Sequence, residues 1–415
     1  MKTINIFTFL FVLPLFLYSQ QMVTVGSGYV WQAYYNFETG QAAIVENDAW
    51  DIGFSNFGQI DGGIFINESV SFMANPMVLY LAPTNDWNED ISDTSVYVDS
   101  IALFNPEQDW AEGAFNTPKD PDDFADYGWG TYDPSTHAIM GDRVFVIKKR
   151  NGQYIKFMMN SLAGGMYDFR YANLDGSDER NFTITRSDYA DSPLIFFSLD
   201  TIDLLEDMPS NYDLIFQRYS APLDAGDEIV QYTVTGVLLA PGSEGLEAKG
   251  VDPITVDHKE YLSDLTTIPS AIGHEWKYFD FASGWVVAND RVYFVKTRND
   301  AYYKVFFTGF SGSSTGFFTF EVTELDLTSL EEALRNNIEI KVYPNPTTGY
   351  FSIEYPESIS GLSARLYNMN GQMVKEWMVD TTIGYNLPID IPGNSYVLQL
   401  YSGNDLLSVK KLIKQ

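Results

Sequence analysis

The chain of 415 residues has no cysteine, only three histidines, and 25 basic against 56 acidic side chains. Without cysteine there are no disulfides, thiolate metal sites or cysteine nucleophiles. The fold must therefore rest on hydrophobic cores, for which a chain of this length has ample material. The net charge of -31 makes nucleic acid and anionic lipid poor partners. Beyond the N-terminus no apolar run approaches the roughly 20 residues that a membrane helix needs. Helical signals are scarce too. The best lies at residues 328–335, where Thr328 or Ser329 caps and a glutamate falls in the first turn, and it reads as a short linker. No His-Glu-x-x-His, P-loop or dinucleotide fingerprint occurs.

What is present begins with an export signal. Lys2, an apolar run from Ile4 to Tyr18 and a polar Ser19-Gln20 exit predict a signal peptide over residues 1–20. A membrane anchor would need a longer run and a basic flank. The mature chain is expected to be soluble or attached to a surface.

The body of the chain repeats itself. DRVFVIKKRNGQYIKFMM at Asp142 recurs as DRVYFVKTRNDAYYKVFF at Asp290. Upstream, Tyr35 and Phe197, Phe37 and Leu199, Thr39 and Thr201, and Trp50 and Tyr212 each lie 162 positions apart. Two blocks recurring in one order imply tandem duplication of a domain-sized unit, far above solenoid periods of about 20–50 residues. Aromatic and β-branched residues alternate with polar ones around the turn dipeptides Asn151-Gly152 and Asn299-Asp300. Each block therefore predicts a hairpin followed by a third strand, a three-stranded meander.

After Ile340 the character changes. Short strand-like runs are divided by Asn-Pro, Asn-Gly and Gly-Asn turns, and six basic side chains balance six acidic ones. The excess acid therefore belongs to the duplicated region. Val342-Tyr343-Pro344-Asn345-Pro346-Thr347-Thr348-Gly349, then Leu366-Tyr367-Asn368-Met369-Asn370-Gly371-Gln372 and a lysine-rich end, closely resemble the C-terminal sorting domain of the type IX secretion system of Bacteroidetes. That resemblance implies a small β-sandwich read by the type IX secretion machinery. The cargo would be released or attached at the outer surface.

The duplicated region resembles the HmuY family of haem-binding proteins. The residues that carry the resemblance are Trp50-Asp51-Ile52-Gly53-Phe54 after Tyr34-Tyr35-Asn36-Phe37, Tyr212-Asp213-Leu214-Ile215-Phe216 with Val234-Thr235-Gly236-Val237-Leu238, and the stretch from Ile272 to Phe310. It implies an all-β, non-enzymatic carrier that takes haem from host haemoproteins and hands it to a receptor. The expected organisation is a signal peptide at 1–20, HmuY-like antiparallel β domains at 21–185 and 186–326, a linker at 327–339 and the sorting domain at 340–415.

Haem iron in such a carrier takes histidine or methionine above and below the ring. The axial-ligand candidates are His258 and His274, 16 residues apart in the second copy, and His137 with Met140 in the first. Met73 with Met77 and Met158 with Met159 are further sulfur pairs, although methionine is more often a core filler. His274 stands two residues before Trp276, whereas Tyr127 stands two before Trp129. A histidine ligand there would serve one copy only. The acidic loop at Asp120, Asp122, Asp123 and Asp126 has oxygen ligands for Ca²⁺ but reads as a solvated turn. Gly312-Ser313-Ser314-Thr315-Gly316 fits a nucleophile elbow in spelling only, since it joins two strands. The alternative reading is a surface adhesin or glycan-binding protein using exposed tryptophans such as Trp87, Trp110, Trp129 and Trp285.

Overall fold

In the computed structural model the described residues are 19–325 apart from 59–60, 108 and 227, then 327, and in the tail 340–355, 362–368, 372–379, 387–388, 391–392, 394–402 and 405–415. The expected helix at 328–335 and residues 1–18 of the expected signal segment lie outside them. The chain divides into two compact units. One holds the duplicated region up to Val256 with Leu265–Glu324, and the other holds the tail with Asp257–Asp264.

The chain is all-β. Every helical element among the described residues is a 3-10 turn of three or four residues. Each repeated block is the expected meander, formed by Phe145–Lys148, Tyr154–Ala163 and Met166–Asn173 in the first copy. Arg291–Lys296, Tyr302–Phe310 and Phe317–Glu324 form it in the second. The hairpin turn is one residue longer than a two-residue loop. Arg150-Asn151-Gly152 lies between Lys149 and Gln153, with Gly152 at φ 85 and Asp300 at φ 59 in the equivalent place. Both meanders carry a register shift at equivalent points, between Met159 and Ser161 and between Phe307 and Gly309.

The packing units are out of step with the sequence copies. Trp31–Asn36 does not pair with Ile52–Ser55, the next core strand of its own copy. It pairs with Leu214–Asp224 of the second, and Leu194–Ser198 pairs back with Ile52–Ser55. The registers are equivalent: Tyr35 faces Leu214, and Phe197 faces Ile52. The N-terminal strand Ser19–Thr24 likewise completes the second meander, while Arg180–Thr185 completes the first.

Two large cores result. One gathers Ile52, Phe54, Phe145, Phe157, Phe169 and Phe197. The other gathers Tyr35, Phe37, Phe216, Trp276, Phe307 and Phe320, drawing on the N-terminus and the second copy. Each lies between a meander sheet and a four-stranded sheet, so each lobe is a sandwich. The expected limits 21–185 and 186–326 thus mark repeats of sequence rather than bodies that close on themselves. The first strands of each copy complete the core of the other lobe. Neither lobe can bury its apolar faces without them.

The aromatic-Asp motif is the clasp of this exchange. Asp51 Oδ2 accepts from the Leu199 backbone N–H at 2.7 Å, and Asp213 Oδ2 accepts from the Phe37 N–H at 2.8 Å. The motif recurs because each carboxylate caps the strand that arrives from the other copy.

The tail has its own sandwich. One sheet is Lys341–Tyr343, Tyr350–Glu354 and Leu387–Pro388. The other orders Met373–Val379, Leu362–Tyr367, Asn394–Ser402 and Asp405–Lys414. Phe351, Leu366, Leu398 and Leu412 are fully enclosed between them.

Candidate functional site

The hairpin formed by Gly130–Asp133 and Ala138–Gly141 carries the first-copy candidates. Asp133 shapes its tip, accepting from the Ser135 N–H at 2.8 Å, and His137 sits at φ 56 in the turn. Strand alternation buries Ile139 and exposes Met140, which is 53% accessible. His137 is exposed, and its Nδ1 lies 2.8 Å from the Tyr132 hydroxyl. The hydroxyl fixes the ring and leaves Nε2 as the nitrogen able to bind.

The other candidates are placed differently. His274 is partly buried, with Nδ1 3.5 Å from the Tyr219 hydroxyl, and burial together with Lys277 lowers its pKa. His258 opens a 3-10 turn at His258–Glu260, within the unit that holds the tail. Met73 is exposed, while Met77 and Met159 are buried in the first core. Arg150 donates to Met77 Sδ, and Arg170 donates to Met158 Sδ. Among the described residues no three His, Cys, Asp or Glu side chains gather as a metal cluster. The acidic loop is a braced turn: Arg143 forks onto Asp126 at 2.6 and 2.7 Å, holding that carboxyl down to about 2. Of the tryptophans expected to stack sugars, Trp87 and Trp129 are buried and Trp110 is partly so. Trp285 is exposed beside Phe279.

Two features were not visible in the sequence. Lys277 is buried, its Nζ donating to the Thr235 carbonyl at 2.5 Å and the His274 carbonyl at 3.4 Å. It lies 4.4 Å from the Trp276 ring centre and 4.7 Å from that of Phe310, and burial lowers its pKa to about 7. The second feature is a cavity of about 60 Å³ on the seam between the exchanged strands. Equivalent residues of both copies line it, Tyr34 with Phe196 and Gly53 with Ile215. Burial pushes Glu68 there up to about 7, even though its oxygens accept from the Asn105 and Ser220 N–H groups at 2.7 and 3.1 Å. Only the Trp-Lys adjacency of Trp276 and Lys277 was open to notice in the sequence. Nothing in it marks Glu68 as buried.

Residues 29–171 match the family model described as HmuY protein, and residues 341–415 match that of the secretion system C-terminal sorting domain. The chain joins a region similar to HmuY to a tail similar to the type IX sorting domain. It is thus a secreted or outer-membrane surface protein. No helix among the described residues is long and apolar enough to cross a membrane. The HmuY match contains the 130–141 hairpin and stops short of His258 and His274. Two solved structures are similar to the chain. Apo PinO from Porphyromonas gingivitis is 9% identical with a TM-score of 0.24, covering 75% of this chain and 98% of that one. A candidate lipoprotein from Bacteroides fragilis is 15% identical with a TM-score of 0.16, covering 49% and 97%. No curated protein matches the chain.

Proposed function

We propose that this exported protein is a non-enzymatic carrier that takes up haem or a related tetrapyrrole at its first copy, for haem acquisition from host haemoproteins. His137 supplies one iron ligand, and Met140 on the same hairpin is the leading choice for the other. The observation that carries the reading is the exposed His137, its Nδ1 engaged by Tyr132, within the residues that match the HmuY model. Imidazole and thioether are the ligands that haem carriers use, and both side chains are open to solvent. His274 is less suited, being partly buried and in the copy that the family model does not match.

Haemin titrated into the mature chain should give a sharp Soret band. His137→Ala should abolish it, and Met140→Ala should change its ligand-field bands. Substituting His258 and His274 by alanine should leave the band intact. A spectrum identical to free haemin, or a band that survives His137→Ala and vanishes with the other two, refutes the assignment.

One observation favours a glycan-binding reading. On the hairpin of Lys277–Asp280 and Gly284–Val287, Tyr278, Phe279, Phe281 and Trp285 are all exposed, Phe281 at 98%. Such rings present faces for sugar stacking. If that reading holds, the chain binds an immobilised polysaccharide and Phe281→Ala with Trp285→Ala releases it, with haemin ignored.

A further inference from the structure

The seam cavity has a chemistry that the haem reading does not use. Its apolar wall is aromatic: Trp50, Phe65, Trp110 and Phe196 line it, with Phe65 and Trp110 5.4 Å apart between ring centres. Its polar wall is acidic, with Glu68, Glu107 and Asp109 in the lining. Among the described residues that line it none is cationic. The three acidic side chains share this lining with the aromatic rings, and each already accepts hydrogen bonds, Glu68 from the Asn105 and Ser220 N–H groups, Asp109 from that of Ala111 and Glu107 from the Ser270 side chain. No cationic side chain among the lining residues balances them, so the pocket favours an incoming cation. Aromatic faces attract cations through their quadrupoles, and a carboxylate in a poorly solvated site gains most when a charge is brought to it. Burial raises the pKa of Glu107 as well as that of Glu68.

The shape separates a metal from an organic ion. A hard cation needs carboxylates converging on one point within about 2.6 Å. No such group is gathered among the described residues. A volume of about 60 Å³ has room for roughly four water-sized groups, which is the size of an ammonium head with its methyl substituents. Gly53 lines the cavity at the position where the other copy has Ile215, and a Cβ there would be in ordinary contact with the Trp50 ring at 3.5 Å, so a larger side chain would extend into the space.

We propose that the seam cavity binds a small organic cation, an alkylated ammonium group, between the aromatic rings of Trp50, Phe65 and Trp110 and the carboxylates of Glu68 and Glu107. The site is built by the strand exchange, since Trp50 and Phe65 come from the first copy while Phe196 and Ile215 come from the second. It is independent of haem uptake and fails or stands separately from it.

The test is calorimetric titration of the mature chain with choline and with 3,3-dimethylbutan-1-ol, which has the same shape without the charge. Choline should bind saturably and the alcohol at least about ten-fold more weakly. Glu107→Gln, which keeps the shape, should weaken choline by about ten-fold, and Gly53→Val should block it by filling the space. A thermal melt of each variant separates a lost site from a lost fold. Equal binding of choline and the alcohol, choline affinity unchanged in a folded Glu107→Gln variant, or no choline binding at millimolar concentration each overturns the proposal.

Discussion

The two copies share a plan and differ in how the same junction is secured. In the first, Asp51 caps the incoming strand and is also bound by Arg150, whose guanidinium lies 2.5 Å from Oδ1 and donates to the Asn47 carbonyl at 3.1 Å. In the second, Asp213 makes the equivalent cap, but Arg298 donates at 2.9 Å to the Ser210 carbonyl and acts on the carboxylate only through space. One junction is a hydrogen-bonded ion pair, and the other is a cap with a nearby charge. The two junctions share a geometry and differ in the electrostatics within it.

Removing the carboxylates should expose this difference most strongly. Asp51→Ala strands the Arg150 charge as well as the Leu199 N–H, and breaking a buried pair in this way costs about 3–5 kcal/mol. Asp213→Ala strands chiefly the Phe37 N–H, for about 1–3 kcal/mol. Urea unfolding of the two variants measures the gap. Equal losses would mean that Arg298 supports Asp213 as fully as Arg150 supports Asp51.

The next contrast lies one residue after the paired tryptophans. Gly130 follows Trp129, whereas the buried Lys277 follows Trp276. Its folded pKa of about 7 lies below the ordinary lysine value of 10.5, so above pH 7 the unfolded chain holds a proton that the folded chain has lost. The lysine therefore destabilises the fold fully below pH 7, and that penalty is relieved as pH rises toward 10.5. Between pH 7 and 9 stability should climb by up to about 1.4 kcal/mol per pH unit from this group alone. Lys277→Met should raise stability at pH 7 and flatten the climb. A slope unchanged in the variant would place its origin elsewhere.

How much of this was readable in advance follows from the range of each interaction. The meanders were readable because strand alternation and the turn at Asn151-Gly152 are local. The tail was readable for the same reason. The exchange of strands was not, although its signature was present: the 162-residue offset relating Tyr35 to Phe197 and Trp50 to Tyr212 is obeyed by the pairing itself. A repeat tells which residues are equivalent, but not whether equivalent strands pair within a copy or across copies. The same limit applies to sites. His137 and Met140 could be put forward as candidates by residue type alone. Glu68, Glu107 and Lys277 owe their character to burial by segments distant in sequence, and no spacing rule reports that. The tryptophans obey the same limit: Trp87 and Trp129 are core, the ordinary place for such a side chain, and of the four named for sugar stacking Trp285 is the exposed one.

The smallest contrast sits in the two hairpin turns, where the same left-handed backbone position holds Gly152 in one copy and Asp300 in the other. A Cβ at Gly152 would meet nothing within 4 Å, so Gly152→Ala tests the backbone alone and should cost about 1 kcal/mol. Asp300 bears that strain already, and its compensation is an exposed pair with Lys296 at 3.2 Å, worth a few tenths of a kcal/mol at most. Lys296 keeps Glu244 as a second partner at 3.0 Å, so losing Asp300 does not leave the ammonium alone. Asp300→Gly should therefore relieve strain without a matching loss and leave the second copy unchanged or slightly more stable, within about 1 kcal/mol. Thermal melts of the two variants should move in opposite directions or show only the first moving. A destabilised Asp300→Gly would mean that the aspartate orders the turn through more than its charge.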